Sequence, residues 1–396
     1  MVAELNRLPL DGITVLELTH TVMGPSCGLV LADLGADVIR VELAPDGDRT
    51  RRLGGFAAGF FSYFNRNKRS LCLDLKSPEG LKIAQDMVTR ADVLIENFGP
   101  GTLERMGLGA NAMLGINPRL IYCALKGFLP GPYEHRPALD EIVQFMTGMA
   151  YMTGPVGKPL RAGSSVIDIM GGVMGVVAIL AALRLRDQDG RGRIVTASLY
   201  ESGALFMAQH MAGEAVTGEP CPPMPARGGA WGIYETFATS DDQQLFIGIT
   251  SDPHFRAFCI EFGRPDLLED PRFASNGDRV AHRPILRQLV AEIVAEHTIG
   301  YLSEALDRVG IPFSPVRRPS DLFDDPQLNA HGRMLETRIV GGNVVKLPSL
   351  PFTIDGEAPK LRRQPPLSGE QTDEVMAQFG YSAEQIAQLR AANIIV

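Results

Sequence analysis

The chain has 396 residues, with 46 acidic against 38 basic side chains for a net charge of −8, and 45% of its residues are hydrophobic. At ~100–200 residues per domain this predicts two or three folded units with sizeable cores, and the acidic balance argues against a nucleic-acid partner. The five cysteines are scattered and contain no C-x-x-C pair, so neither a disulfide framework nor a metal site is expected.

The first seven residues lack the basic and then apolar pattern of a secretory leader, which predicts a cytoplasmic protein. Residues 13–18 read as a buried strand, Pro25 opens a helix that ends near Gly35, and residues 37–42 form a second strand. A helix from Ser77 to about Arg90, a strand at Val93–Glu96 and another at 120–124 repeat the pattern. This alternation predicts an α/β fold with a Rossmann-like parallel sheet covered on both faces. The uncharged run 169–183 is 15 residues long, short of the ~20 needed to span a bilayer, so it reads as a core helix with no membrane partner. One more strand is expected around Arg193–Ser198.

Four prolines within 220–225 mark a stiff linker. Beyond it, 232–239 and 244–250 form a hairpin that opens a smaller α+β domain, and Ser320 caps a short helix. Strands at 335–340 and 344–347 are joined by Gly341-Gly342-Asn343, and a last helix starts near Gly369. The expected division is a large α/β domain at 1–219, the linker at 220–225, a small α+β domain at 226–322, and a segment at 323–396 that returns to the large domain.

The loop from His20 to Gly28 lies where dinucleotide-binding proteins hold a pyrophosphate. It lacks G-x-G-x-x-G, and Pro25 removes an amide donor, which disfavours an NAD-dependent oxidoreductase. His20 reads as a satisfied loop histidine. Asn65-Arg66-Asn67-Lys68-Arg69-Ser70 carries three cations, and charge alone favours a solvated surface run. Nearby, Glu96-Asn97-Phe98-Gly99-Pro100-Gly101 leaves a parallel strand and is followed by Arg105-Met106, a setting in which open α/β sheets bind anionic ligands. Asp168 is the one charge between Arg161 and Arg184, at the start of an apolar helix. An N-cap and a functional carboxylate remain equally open there. The helix dipole would favour its ionised form, and Gly163 and Gly171-Gly172 would leave room for a bulky ligand.

In order along almost the whole chain, residues 10–18, Leu34-Gly35-Ala36-Asp37 with the strand after it, 65–70, 73–76, 91–101, Arg136-Pro137-Ala138-Leu139-Asp140, Asp168 with its glycines and Gly190-Arg191-Gly192 resemble the class III CoA-transferases. The resemblance implies an enzyme that moves CoA from an acyl-CoA donor to a small carboxylic acid, nearest to the dicarboxylate enzymes, with coenzyme A as co-substrate and no metal. It places the nucleophilic carboxylate at Asp168. It puts Val22 and Met23 at the CoA entrance, Leu73 to Lys76 and Asn97-Phe98-Gly99 on the adenosine and pyrophosphate, Arg105 with Met106 on a phosphate or the adenine, and Asp140 near the pantetheine or acyl group. Where some members carry a CoA-contacting arginine, this chain has Leu43-Ala44. It further implies an interlocked homodimer. Arg227, Gly228 and Gly229 are the loop expected to hold the non-reacting carboxylate or an oxyanion. The racemase branch of the superfamily places a histidine just before the acid matching Asp140; Leu139 stands here, which removes that branch's proton acceptor.

Overall fold

The computed structural model describes residues 8–226 and 229–396. They form two compact units, Met1–Pro225 with Pro326–Val396, and Ala226–Asp325.

The first unit is built on β1 (Thr14–Leu18), α1 (Met23–Asp33), β2 (Asp37–Leu43), β3 (Arg69–Leu73), α2 (Pro78–Val88), β4 (Val93–Glu96), β5 (Ile121–Lys126), α3 (Asp140–Met146), α4 (Val166–Asp189), β6 (Arg193–Ser198) and α5 (Leu199–Thr217). The six strands make one parallel sheet in the order β3-β2-β1-β4-β5-β6. Each central strand is apolar at successive positions because both faces are covered. Val15, Val38, Val93 and Cys123 feed the core under α1 and α4. Leu16, Ile39, Leu94 and Tyr122 feed the opposite core, under α2 and the C-terminal helices Thr372–Gln378 and Ala383–Ala391. The last helix expected from sequence is thus two.

Residues 65–70 overturn the expectation of a solvated run, since all six are buried. Arg66 pairs with Asp33 at 2.7 Å, Lys68 with Glu17 at 2.7 Å, and Arg69 with Asp37 and Glu374. The Asn67 Oδ1 accepts from the Arg362 and Arg363 amides, which fastens the returning C-terminal segment. These cations are internal ties. They offer nothing to a ligand, because a buried charge must be matched at once by a local counter-charge. Burial lowers the Lys68 ammonium to about 8 against the opposing pull of Glu17.

The glycines of α4 also differ from expectation. A Cβ on Gly172 would stand 2.6 Å from the Met23 carbonyl oxygen and 2.8 Å from Ser26 Cβ, and one on Gly175 would stand 2.7 Å from Leu125. These glycines let α4 lie directly on α1 and β5, so the space they leave belongs to a helix and not to a ligand. Gly163 has open space around it.

In the second unit, Ile233–Ala238, Gln244–Ile249 and Phe313–Pro315 form an antiparallel sheet, with Asp252–Glu261, Arg283–Ala295 and Ile299–Arg308 contributing to its core. The third strand has three residues ending in proline, too short for a periodicity signal. Ser320 lies inside a 3₁₀ turn, Pro319–Asp324, that Arg318 precedes, so it is not a cap. The strands Met334–Arg338 and Val344–Pro348 pair antiparallel in the first unit.

Candidate active site

The chain leaves β1 outward to β2 and β3, then returns to lay β4 on β1's other side. The loops after β1 and β4 therefore diverge and open a crevice at the strands' carboxyl ends, where open α/β sheets bind ligands. Asn97 joins the two loops. Its Nδ2 donates to the His20 carbonyl at 2.9 Å and its Oδ1 accepts from the His20 amide at 2.9 Å. The Asn97 side chain is thus committed to the scaffold. Buried Glu96 accepts from the Phe98 amide at 3.0 Å and pairs with Lys126 at 2.5 Å, while Lys126 also donates to the Phe98 carbonyl at 3.0 Å. Burial pushes Glu96 above the usual carboxylate range in spite of Lys126. The loop 97–99 is held from both sides.

Two cavities open along this edge. The outer one, about 750 Å³, has Lys76, Arg105, Met106 and Leu43 on its wall. The inner one, about 420 Å³, is bounded by Val22, Met23, Asn97, Gly99, Asp140 and Asp168. His20 and Phe98 line both, with their rings edge to face at 5.7 Å. Sequence reasoning set His20 aside, yet it stands where the two cavities meet. Burial, reinforced by Arg49 and Arg40 against Asp48, lowers its pKa and keeps it neutral at pH 7. Leu73 is fully buried in the core and lines neither cavity. Arg227 and Gly228 lie outside the described residues, and Gly229 belongs to the second unit beside Arg283.

Asp168 is the third residue of α4, and the N-cap position is Ser165, whose side chain makes no capping bond. The cap comes from another helix. Asp140, buried at the first position of α3, accepts from the Ile167 and Asp168 amides at 2.9 and 3.0 Å through one oxygen and from Gln144 Nε2 at 2.5 Å through the other. Gln144 in turn accepts from the Ala162 amide at 2.7 Å. With the orphan amides satisfied by Asp140, the Asp168 side chain is released from the structural duty that sequence left open for it. Among the described residues no donor is hydrogen-bonded to its carboxylate. Burial, assisted by the Asp140 charge, raises its pKa to about 7, so these outweigh the helix dipole that was expected to keep it ionised. A half-buried carboxylate on a cavity wall, without a hydrogen-bond donor among the described residues and with a raised pKa, marks a candidate functional acid.

At the other end of the loop, a Cβ on Gly24 would overlap Thr19. The start of α1 is packed onto the exit of β1, which leaves no open glycine cradle for a dinucleotide pyrophosphate. Among the described residues no group of three or more His, Cys, Asp or Glu side chains could hold a metal ion.

A cavity with cations on its wall at the switch point of a parallel sheet, continued by a smaller one with an unpartnered carboxylate among the described residues, is a setting in which open α/β sheets bind anionic ligands. The chain belongs to CoA-transferase family III, whose model matches residues 10–372, and it is an acyl-CoA:carboxylate CoA-transferase. It is 34% identical over 412 residues to an acyl-CoA transferase of Fusarium pseudograminearum, covering 98% of this chain and 88% of that one. A succinate–glutarate CoA-transferase of Agrobacterium fabrum is 33% identical, with 94% and 96% covered. The crystal structure of a CAIB/BAIF family protein from Brucella suis superposes with a TM-score of 0.85 at 33% identity, over 94% of this chain and 99% of that one.

Proposed function

We propose that this enzyme exchanges CoA between an acyl-CoA and a small dicarboxylic acid through covalent intermediates on Asp168. The observation that carries the reading is the Asp168 carboxylate itself, relieved of capping by Asp140 and without a donor on a cavity wall. Its oxygen attacks the thioester carbonyl, the C–S bond breaks, and a mixed anhydride and CoA thiolate result. The thiolate then attacks the aspartyl carbonyl and expels the donor acid, leaving an aspartyl thioester. The incoming carboxylate attacks that thioester to form a second anhydride, and the released thiolate takes up the new acyl group and restores Asp168. Each step trades one activated carboxyl for another, which divides a difficult exchange into easier ones. The tied loop 97–99 and the clamp on His20 hold the cavity wall while the groups change places.

The choice of dicarboxylates rests on the relatives that act on succinate, glutarate and L-malate by name, and on Arg136. Arg136 lines the inner cavity and stacks over Tyr133, and among the described residues it forms no ion pair. It can take the second carboxylate as a bidentate partner, and Arg227 remains a second candidate for that task. Leu139, an exposed apolar side chain on the same wall, provides no base for racemisation. A homodimer accords with Val177, Leu180, Leu205, Met211 and Val216, which α4 and α5 leave exposed; sedimentation at a monomer's mass would refute it. Thiols rather than disulfides at Cys27, Cys72, Cys123 and Cys259 suit a reducing, cytoplasmic setting.

The test is chemical trapping. Enzyme incubated with acyl-CoA and hydroxylamine should carry a hydroxamate on the peptide holding Asp168. A label elsewhere, or none under conditions of active transfer, removes the mechanism.

A further inference from the structure

Arg49-Thr50-Arg51-Arg52 forms a 3₁₀ turn that follows β2. In such a helix side chains three apart stand one above the other, so Arg49 and Arg52 share a side while Thr50 and Arg51 take the others. Asp48 caps the turn by accepting from the Thr50 amide at 2.7 Å and is itself paired with Arg40. Arg51 turns inward to Glu42 at 2.5 Å and to the Pro366 carbonyl at 2.8 Å, with its guanidinium 3.6 Å over the Phe61 ring. The inward pair anchors the turn. The outward pair, Arg49 and Arg52, lies on the wall of the outer cavity.

The charges of that cavity do not balance internally. Glu42 and Asp48 are neutralised by Arg51 and Arg40, which leaves Asp46 as the one uncommitted acid on the wall among the described residues. Against it stand four cations with no ion pair among the described residues: Lys76, Arg105, Arg49 and Arg52. Arg105 bonds a threonine hydroxyl at 3.2 Å and Arg52 the Asp46 carbonyl at 2.5 Å, whereas Arg49 has no hydrogen-bond partner among the described residues. An anchored turn that presents two arginines to an apolar-walled cavity, neither in an ion pair among the described residues, fits a multiply charged phosphate ligand. Leu43, on the same wall, offers no such contact.

We propose that Arg49 and Arg52 form a second cationic arm of the CoA site and hold its phosphates opposite Lys76 and Arg105. The proposal rests on the reading of the outer cavity as the CoA site. Both arginines are exposed, so screening places each contact at the low end for a charge-assisted bond, a loss of about 5–10-fold in CoA affinity per residue.

The experiment measures dissociation constants of CoA and 3′-dephospho-CoA by titration calorimetry for wild type, Arg49→Leu, Arg52→Leu and the double variant, with KM for an S-acyl-pantetheine as the phosphate-free control. The double variant should lose about 30-fold or more in CoA affinity and leave the pantetheine KM unmoved. A penalty that disappears with dephospho-CoA assigns the arm to the 3′-phosphate; one that persists assigns it to the diphosphate. Arg49→Lys with Arg52→Lys should restore part of the affinity, and the thermal midpoint should stay in place in every variant. A double variant that binds CoA like wild type overturns the proposal. Wild type that binds CoA but transfers none would sink the transferase mechanism and leave the arm standing.

Discussion

Asp168→Asn separates two roles for this residue by opposite signs. A helix cap would lose little, because asparagine caps about as well as aspartate, but the cap here is Asp140. Asp168 instead carries an ionisation penalty, with its pKa raised from 3.8 to about 7 by burial and by Asp140. Below pH 3.8 the acid is protonated in both folded and unfolded chains and costs nothing. Between about 4 and 7 the unfolded chain sheds the proton while the folded one keeps it, so stability falls as pH rises, and above 7 the whole penalty persists. At about 1.36 kcal/mol per pH unit the full gap corresponds to about 4 kcal/mol, and partial exposure to the cavity places the measurable effect at about 2–4 kcal/mol. Asp168→Asn should therefore be more stable than wild type above pH 7, and the advantage should fade toward pH 4 while CoA transfer is abolished across the range. Urea denaturation at fixed protomer concentration, run at pH 4.5, 6 and 8 on both proteins, reads the difference directly. Equal destabilisation at every pH would show that the carboxylate is a structural partner after all, and an active variant would remove it as nucleophile.

Asp140→Asn keeps an acceptor for the α4 amides but removes the charge beside Asp168; the acid limb of kcat/KM should move below pH 7, with about 1–2 kcal/mol lost through a mismatched Gln144 contact. A pH profile that does not move would disprove the coupling. Glu17→Gln leaves buried Lys68 without its anion and should cost about 3–5 kcal/mol in denaturant titrations; a cost under about 1 kcal/mol would mean that the buried pair is not coupled as its geometry implies. Gly172→Ala drives a methyl into the backbone of α1 at Met23 and should cost about 1–3 kcal/mol. Because Met23 lines the inner cavity, KM should rise as well, and an unchanged thermal midpoint and KM would mean that α1 and α4 part freely.

The strands were legible because burial on both sheet faces writes itself as successive apolar residues, and the strand expected around Arg193–Ser198 spans those residues. Their spatial order was not. Nothing local in β4 says that it pairs with β1, and so the juxtaposition of His20 with Asn97, 77 positions apart, has no short-range trace. Leu73 shows the converse situation. It sits in a stretch that resembles the family's nucleotide contacts, but strand alternation turns its side chain into the core while Lys76, beyond the strand end, reaches the cavity.

Charge was the least legible property because a sequence shows ions and hides their partners. Residues 65–70 look like a hydrated patch until Asp33, Glu17 and Asp37 are brought beside them from elements 32 to 51 positions earlier. Arg49 and Arg52 look no different from Arg51 in the same turn. What distinguishes the three is whether an acid waits where each side chain points: Glu42 meets Arg51, and nothing in the described protein meets Arg49. The same reasoning isolates Asp168, whose neighbours in sequence suggested a cap and whose neighbour in space, Asp140, already performs that work. Asp168 on the inner wall and Arg49 on the outer one are two such groups left without a partner among the described residues, and that remainder can be read only once the fold has assigned the partners.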